Sequence, residues 1–251
     1  MSATPPTPQD PITKPAVPIP LGPADGADSA RRRWLALGIV LFVSFAHFIV
    51  SSAYYVISGI PQVDLHQHQV RLAGALIAEA GSLAVLWYVL SGQGRGWKDI
   101  GWNLAWMDVP RALGLVFGST IASYFVSIAV QSSFRAFSGH YLPTKSMQGL
   151  LGGVSVLSIA FVCLNPFFEE LIVRGYLMSE VVHLGGRGVL AIFLSTAVQM
   201  SYHLYQGPAN GIVLITTFTM FSIYFWDSRR IAPVVLAHLF LDAYSLFAAV
   251  S

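Results

Sequence analysis

Glu169, Glu170 and Arg174 place two adjacent carboxylates and a guanidinium in the stretch from Asn165 to Tyr176, with apolar residues on both sides. On a helix, Glu170 and Arg174 are four residues apart and share a face, with the acid on the favourable amino-terminal side. Glu169 lies about 100° round the helix from Glu170, so one glutamate can pair with the arginine while the other points elsewhere. Further on, His203 falls near the end of another apolar run, and His238 and Asp242 stand four apart in the last one. A carboxylate held beside a histidine can serve as general base towards water. A second histidine can donate to a developing oxyanion. These are the parts for hydrolysing an amide. Two histidines and a carboxylate, here Glu169, His203 and His238, could alternatively hold zinc with one position open for water. No Ser-His-Asp arrangement stands out, and no H-E-x-x-H run occurs.

Each of these residues also has a purely structural explanation. Glu170 and Arg174 could be a buried ion pair, and a lone histidine is usually a satisfied core residue. A charge at bilayer depth, however, costs roughly 2.5–3.5 kcal/mol on insertion scales. Four such groups, Glu169, His203, His238 and Asp242, on three separate apolar segments are poorly explained as structure alone. His47 and Glu79 lack a spacing partner and read as packing or helix-bridging groups. His66 and His68 read as part of a solvated loop, with metal binding the lesser alternative. Cys163, the single cysteine, reads as a small buried hydrophobe.

Composition decides what must position these groups. The 251 residues are 55% apolar and only 10% charged, against about 25% charged in soluble domains. The expectation is an all-α polytopic transmembrane bundle of about seven or eight helices. A net charge of +2 argues against a nucleic-acid partner; the lipid bilayer is the expected surround. Residues 1–30, rich in Pro, Ala, Asp and Thr, read as a disordered tail, and 31–251 as one transmembrane domain with its core at about 150–245. Spans are expected from Trp34 to about Ile57, Leu72 to Leu90, Ala112 to Phe134, Val189 to Tyr205, Gly211 to Trp226 and Ile231 to Val250. The third carries Gly114 and Gly118, followed by Ser119, Thr120, Ser123 and Ser127, a small-residue face suited to close helix packing. The region from Leu150 to His183 is longer than one span needs, and Asn165-Pro166 is expected to break it, with Asn165 capping the second piece.

If that region crosses once, giving seven crossings, Lys14, Arg31, Arg32, Arg33, Arg95, Lys98, Arg111, Arg187, Arg229 and Arg230 share one side, against Arg71, Arg135 and Lys145 on the other. Ten against three predicts a cytoplasmic amino terminus. Two crossings would reduce the bias to seven against six. With seven crossings, counting helical rise from the cytoplasmic end puts Glu169 and His203 about 21 and 22 Å deep, and Asp242 and His238 about 16 and 10 Å deep. These depths are compatible with one buried site.

The ordered set Glu169-Glu170-x-x-x-Arg174-Gly175, His203, His238-x-x-x-Asp242 resembles the three motifs of the CAAX-protease and bacteriocin-processing (Abi) family of intramembrane proteases, which includes the eukaryotic prenyl-protein endopeptidase. The resemblance covers roughly residues 150–245. It implies that Glu169 activates water together with His203, that Glu170 pairs with Arg174, and that His238 and Asp242 stabilise the oxyanion. It favours a metal-free glutamate mechanism over zinc. The implied substrate is a membrane-associated peptide or lipidated protein, and the implied setting an integral protein of a bacterial plasma membrane. Two positions depart from the family pattern. Gln199 stands where phenylalanine is usual, four before His203, and Asp242 stands where the eukaryotic enzymes have asparagine. An ionised aspartate repels an oxyanion, so Asp242 must be protonated, orient His238 by hydrogen bonding, or bind a metal; orientation is the favoured expectation. The alternatives are a non-catalytic protein of the same fold, acting in peptide-toxin immunity or as a scaffold, and a proton-coupled transporter. The lack of internal repeats counts against the transporter.

Overall fold

In the computed structural model, residues 26–59, 64–144 and 154–248 are described, and among them every regular element is helical. The order is α1 (Gly26–Ser58), α2 (Leu65–Gly92), a 3₁₀ turn (Trp97–Ile100), α3 (Asp108–Ser138), α4 (Val156–Glu170), a π-helical segment (Leu171–Met178), α5 (Ser179–His183), α6 (Gly188–Ser201), a second 3₁₀ turn (Leu204–Gln206), α7 (Gly207–Ser228) and α8 (Ala232–Ala248). α4, the π segment and α5 form one continuous rod, Val156–His183. Five of the described helices are long and apolar enough to cross a membrane; α6 and α8 are shorter apolar helices. α1 starts at Gly26, so residues 26–30 of the expected tail are helical, while residues 1–25 lie outside the described residues. The long apolar run behind them carries the nucleation cost, and the helix extends backwards from it.

The rod is the axis of the molecule. Every residue from Phe168 to Val181 is buried, as expected of a helix surrounded by others. α2 and α8 lie against α4, and α6 lies against the π segment. α3 closes the other side against α7 and α8. There Ser123 donates to the Val213 carbonyl at 3.2 Å and lies 3.1 Å from the Thr217 hydroxyl. Gly118, on the expected small-residue face, looks onto Met220, whereas Gly114 faces open space. The outer surface is covered by large exposed apolar side chains such as Phe42, Phe117, Phe125 and Phe193. Patches on that scale mark a surface made for another apolar phase, here lipid.

The expected break at Asn165-Pro166 is not where the helix changes. α4 runs through Pro166, and the backbone leaves α geometry only at Leu171. Proline removes a single intrahelical donor, its own, and a helix enclosed by neighbours tolerates that loss. Asn165 is therefore mid-helix, not a cap. Cys163, expected to be buried, is exposed on the outer face, where lipid supplies the apolar surround. His66 and His68 lie in the first turns of α2, not in a loop, and His68 is buried.

The rod is one continuous helix, and its far end is tied to the start of α1 and to the segment after α2. The buried carboxylate of Glu180 accepts from Arg33 at 3.1 Å and also from Arg95. Asp108 ties the same end together. Arg230 grips it with Nε to Oδ1 at 3.0 Å and Nη2 to Oδ2 at 2.8 Å, and Arg111 adds a contact at 3.2 Å. Hydrogen bonding to Asp108 raises the Arg230 guanidinium above its already high ordinary value. The Ile231 amide donates to the Gly101 carbonyl at 3.0 Å. Gly101 has φ +92°, and a Cβ there would meet the Arg229 carbonyl at 2.7 Å. So the loops after α2, α5 and α7 gather at one end of the bundle together with the start of α1.

Candidate active site

Four pairs spaced four apart on three helical segments build the polar centre: Asn165 and Glu169, Glu170 and Arg174, Gln199 and His203, His238 and Asp242. The pairs on the rod and on α8 each lie along one helix face, as that spacing dictates, while Gln199 and His203 straddle the end of α6. The rod supplies Glu169 and Glu170 side by side and sends them in different directions. Glu170 is enclosed. Arg174 Nη1 donates to its Oε2 at 2.5 Å, and His238 Nδ1 donates to its Oε1 at 2.8 Å. Arg174 also donates to the Phe218 carbonyl at 3.1 Å and lies over the Phe218 and Phe221 rings. All of Arg174 and Glu170 is buried, so the pair is a charge-neutral unit rooted in the bundle's core.

Glu169 faces another set of groups. Gln199 Nε2 donates to its Oε2 at 2.8 Å. The Asn165 amide, with its nitrogen assigned towards the carboxylates because a carboxylate accepts and an amide oxygen cannot donate to it, lies 3.2 Å from Glu169 Oε1 and 3.0 Å from Glu79 Oε1 on α2. The buried Tyr202 phenol borders the same carboxylate. Each Glu169 oxygen thus has one amide donor, and a carboxylate oxygen has lone pairs left for a further partner.

His203 sits just past the end of α6. Its Nδ1 is 2.8 Å from the Gln199 carbonyl. A carbonyl can only accept, so Nδ1 carries the hydrogen and Nε2 presents its lone pair. Gln199 therefore serves Glu169 with its side chain and His203 with its backbone. The Phe218 ring stands between the two imidazoles, 5.4 Å from His203 and 5.9 Å from His238. His238 Nε2 is 3.6 Å from Asp242 Oδ1, too long for a hydrogen bond. The group that orients His238 is Glu170, not Asp242 as expected; a carboxylate 2.8 Å from Nδ1 outcompetes one at 3.6 Å. Glu169, Glu170 and His238 are buried, whereas His203 is half-buried and Asp242 keeps 28% of its side chain accessible. Those two residues form the rim.

One cluster therefore holds all four residues of the sequence motifs, linked through Gln199, Asn165 and Phe218. A cavity of about 430 Å³ lined by Tyr54, Tyr55 and Arg71, and another of about 170 Å³ lined by Lys98, His183 and Arg229, lie elsewhere and touch none of the four. Among the described residues no three His, Cys, Asp or Glu side chains lie together as the ligands of one ion would. His238 Nδ1 is committed to Glu170 and His203 Nδ1 to a carbonyl. Sequence reasoning missed the parts played by Asn165 and Glu79. For Asn165 the signal was available, because it precedes Glu169 by four residues. Glu79, read as a packing or helix-bridging group, does bridge α2 to the rod through Asn165, but nothing in the sequence tied it to Glu169, because α2 brings it in from far along the chain. His47 is exposed on α1 and bridges nothing in the site.

The fold is that of a polytopic helical membrane protein with a buried acid–histidine centre inside it. The family described as type II CAAX prenyl endopeptidase Rce1-like matches residues 152–244, and over this segment the chain is similar to the CAAX-protease and bacteriocin-processing family. The match spans the rod, α6, α7 and most of α8 and includes every residue of the three motifs. No curated protein and no solved structure matches the chain.

Proposed function

We propose that the protein is an intramembrane endopeptidase that hydrolyses a peptide bond in a membrane-associated or lipidated peptide, with Glu169 as the base. The observation that carries this reading is the suspension of Glu169 between two amide donors, one of which, Gln199, also holds His203. Water entering past the half-buried rim would hydrogen-bond to His203 Nε2 and to Glu169. Glu169 takes one of its protons as the oxygen attacks the scissile carbonyl carbon. The negative charge passes to the former carbonyl oxygen. His238, as the imidazolium anchored by Glu170, donates to it from Nε2. The carbon–nitrogen bond then breaks, and the proton held by Glu169 goes to the leaving nitrogen. Atoms and charge balance without a cofactor.

In the same reading the end of the bundle that carries Arg33, Arg95, Arg187 and Arg230 faces the cytoplasm. The test is cleavage in proteoliposomes of hydrophobic and prenylated peptides carrying reporters on both sides of the scissile bond. Wild type should separate the reporters, and Glu169→Ala should not. Equal turnover by the two would end the proposal and favour a non-catalytic immunity or scaffold role.

A further inference from the structure

Glu79 belongs to no motif and lies outside the segment that matches the family, yet it is fully buried at the edge of the polar centre. It comes from α2, which lies against α4. Among the described residues its only hydrogen-bonding partner is the Asn165 amide, 3.0 Å from Oε1; its Oε2 is buried without one. Its charged neighbours are Glu169 and Asp242, the acids of the site itself. A buried carboxyl without a cation is costly, and a helix of purely structural purpose would carry leucine there.

The geometry points to Glu79 as a positioning residue for Glu169, acting through Asn165. A primary amide has two hydrogens on one planar nitrogen. When Glu79 accepts the first, the plane of the Asn165 amide is set and the second hydrogen is aimed at Glu169 Oε1, 3.2 Å away. Without Glu79 the amide is free to turn over and present its oxygen to Glu169, which repels the carboxylate and lets it swing off the line to His203. α2 thereby reaches into a centre otherwise built by the rod, α6 and α8. Glu79 Oε2 and Gln199 Oε1 are buried without a hydrogen-bonding partner, and the Tyr202 phenol borders Glu169.

This inference deepens the peptidase reading and rests on it for its kinetic arm. The first measurement does not depend on activity. In protein labelled with ¹³C at the glutamate carboxyl, the infrared band of Glu169 is the one lost in Glu169→Gln. That band should shift in Glu79→Leu and in Asn165→Leu. It should return towards the wild-type frequency in Glu79→Gln, which keeps an acceptor for the Asn165 amide. The second is kinetic: Glu79→Leu should lower kcat about tenfold or more with KM within about twofold, the signature of lost transition-state geometry, and Glu79→Gln should recover most of that loss. Asn165→Leu provides the same test should Glu79→Leu fail to fold. A Glu169 band unmoved by either leucine variant overturns the proposal, as does an unchanged kcat. If wild type cleaves nothing while the band shifts as described, the peptidase reading falls and the positioning chain stands.

Discussion

At the scale of single residues, two neighbouring glutamates have been given different surroundings. Glu170 is neutralised by a guanidinium and an imidazole, while Glu169 meets only uncharged donors, the Gln199 and Asn165 amides and the Tyr202 phenol. The first arrangement anchors; the second leaves a carboxylate able to take a proton. Replacing Glu169 by Gln should lower kcat by roughly 10²–10⁴-fold, the usual scale for a lost general base, with the thermal transition in detergent little changed. Arg174→Met should act in the opposite way. It strands Glu170 in the core, and breaking a buried pair costs about 3–5 kcal/mol, so loss of folded protein on heating should precede any kinetic reading. Gln199→Leu keeps the carbonyl that holds His203 but removes the donor to Glu169 Oε2. The expected outcome is about a tenfold loss in kcat, consistent with one missing hydrogen bond to a charged group, with KM unchanged in the same liposome assay.

At the scale of elements, the rod decides the geometry. Its π segment begins directly after Glu170 and carries Arg174 and Gly175, and π segments often mark functional positions in helices. Gly175 lets the 3₁₀ turn approach closely; a Cβ there would stand 3.0 Å from the Ile100 carbonyl oxygen. Gly175→Ala should therefore push the turn away and destabilise the protein by about 1–3 kcal/mol, the range for overpacking, measurable as a lower unfolding midpoint in denaturant titration. Pro166 and Asn165 are read differently at this scale than from local rules. A proline preceded by asparagine usually marks a helix boundary, but here the enclosing helices carry the chain through, and the asparagine side chain goes to the two carboxylates.

At the scale of the whole molecule, the ion pairs around Glu180 and Asp108 gather the loops after α2, α5 and α7 with the start of α1 at one end. In the single-crossing arrangement this puts Arg187 and Asp99 at the opposite end of the bundle from Tyr141. Single cysteines at Arg187, Asp99 and Tyr141, in a Cys163→Ser background, test this in intact cells with a membrane-impermeant maleimide. Tyr141→Cys should label, and the other two only after lysis. Labelling of all three on one side would refute the single crossing, and the reverse pattern would refute the cytoplasmic orientation.

What was legible from the chain alone was whatever depends on composition and on spacing along a helix. A low charge content demanded a bilayer, and i,i+4 pairs marked Glu170 with Arg174 and His238 with Asp242. These are properties of a helix cylinder and need no partner. The same spacing would have exposed Asn165 with Glu169, had the proline not argued for a cap. Tertiary structure alone decided the rest. It assigned His238 to Glu170, turned Cys163 outward, and brought Glu79 from α2 to the acids of α4. Those outcomes depend on how helices distant in sequence are rotated against one another, and that rotation is set by the fit of whole faces, which periodicity within one helix does not encode.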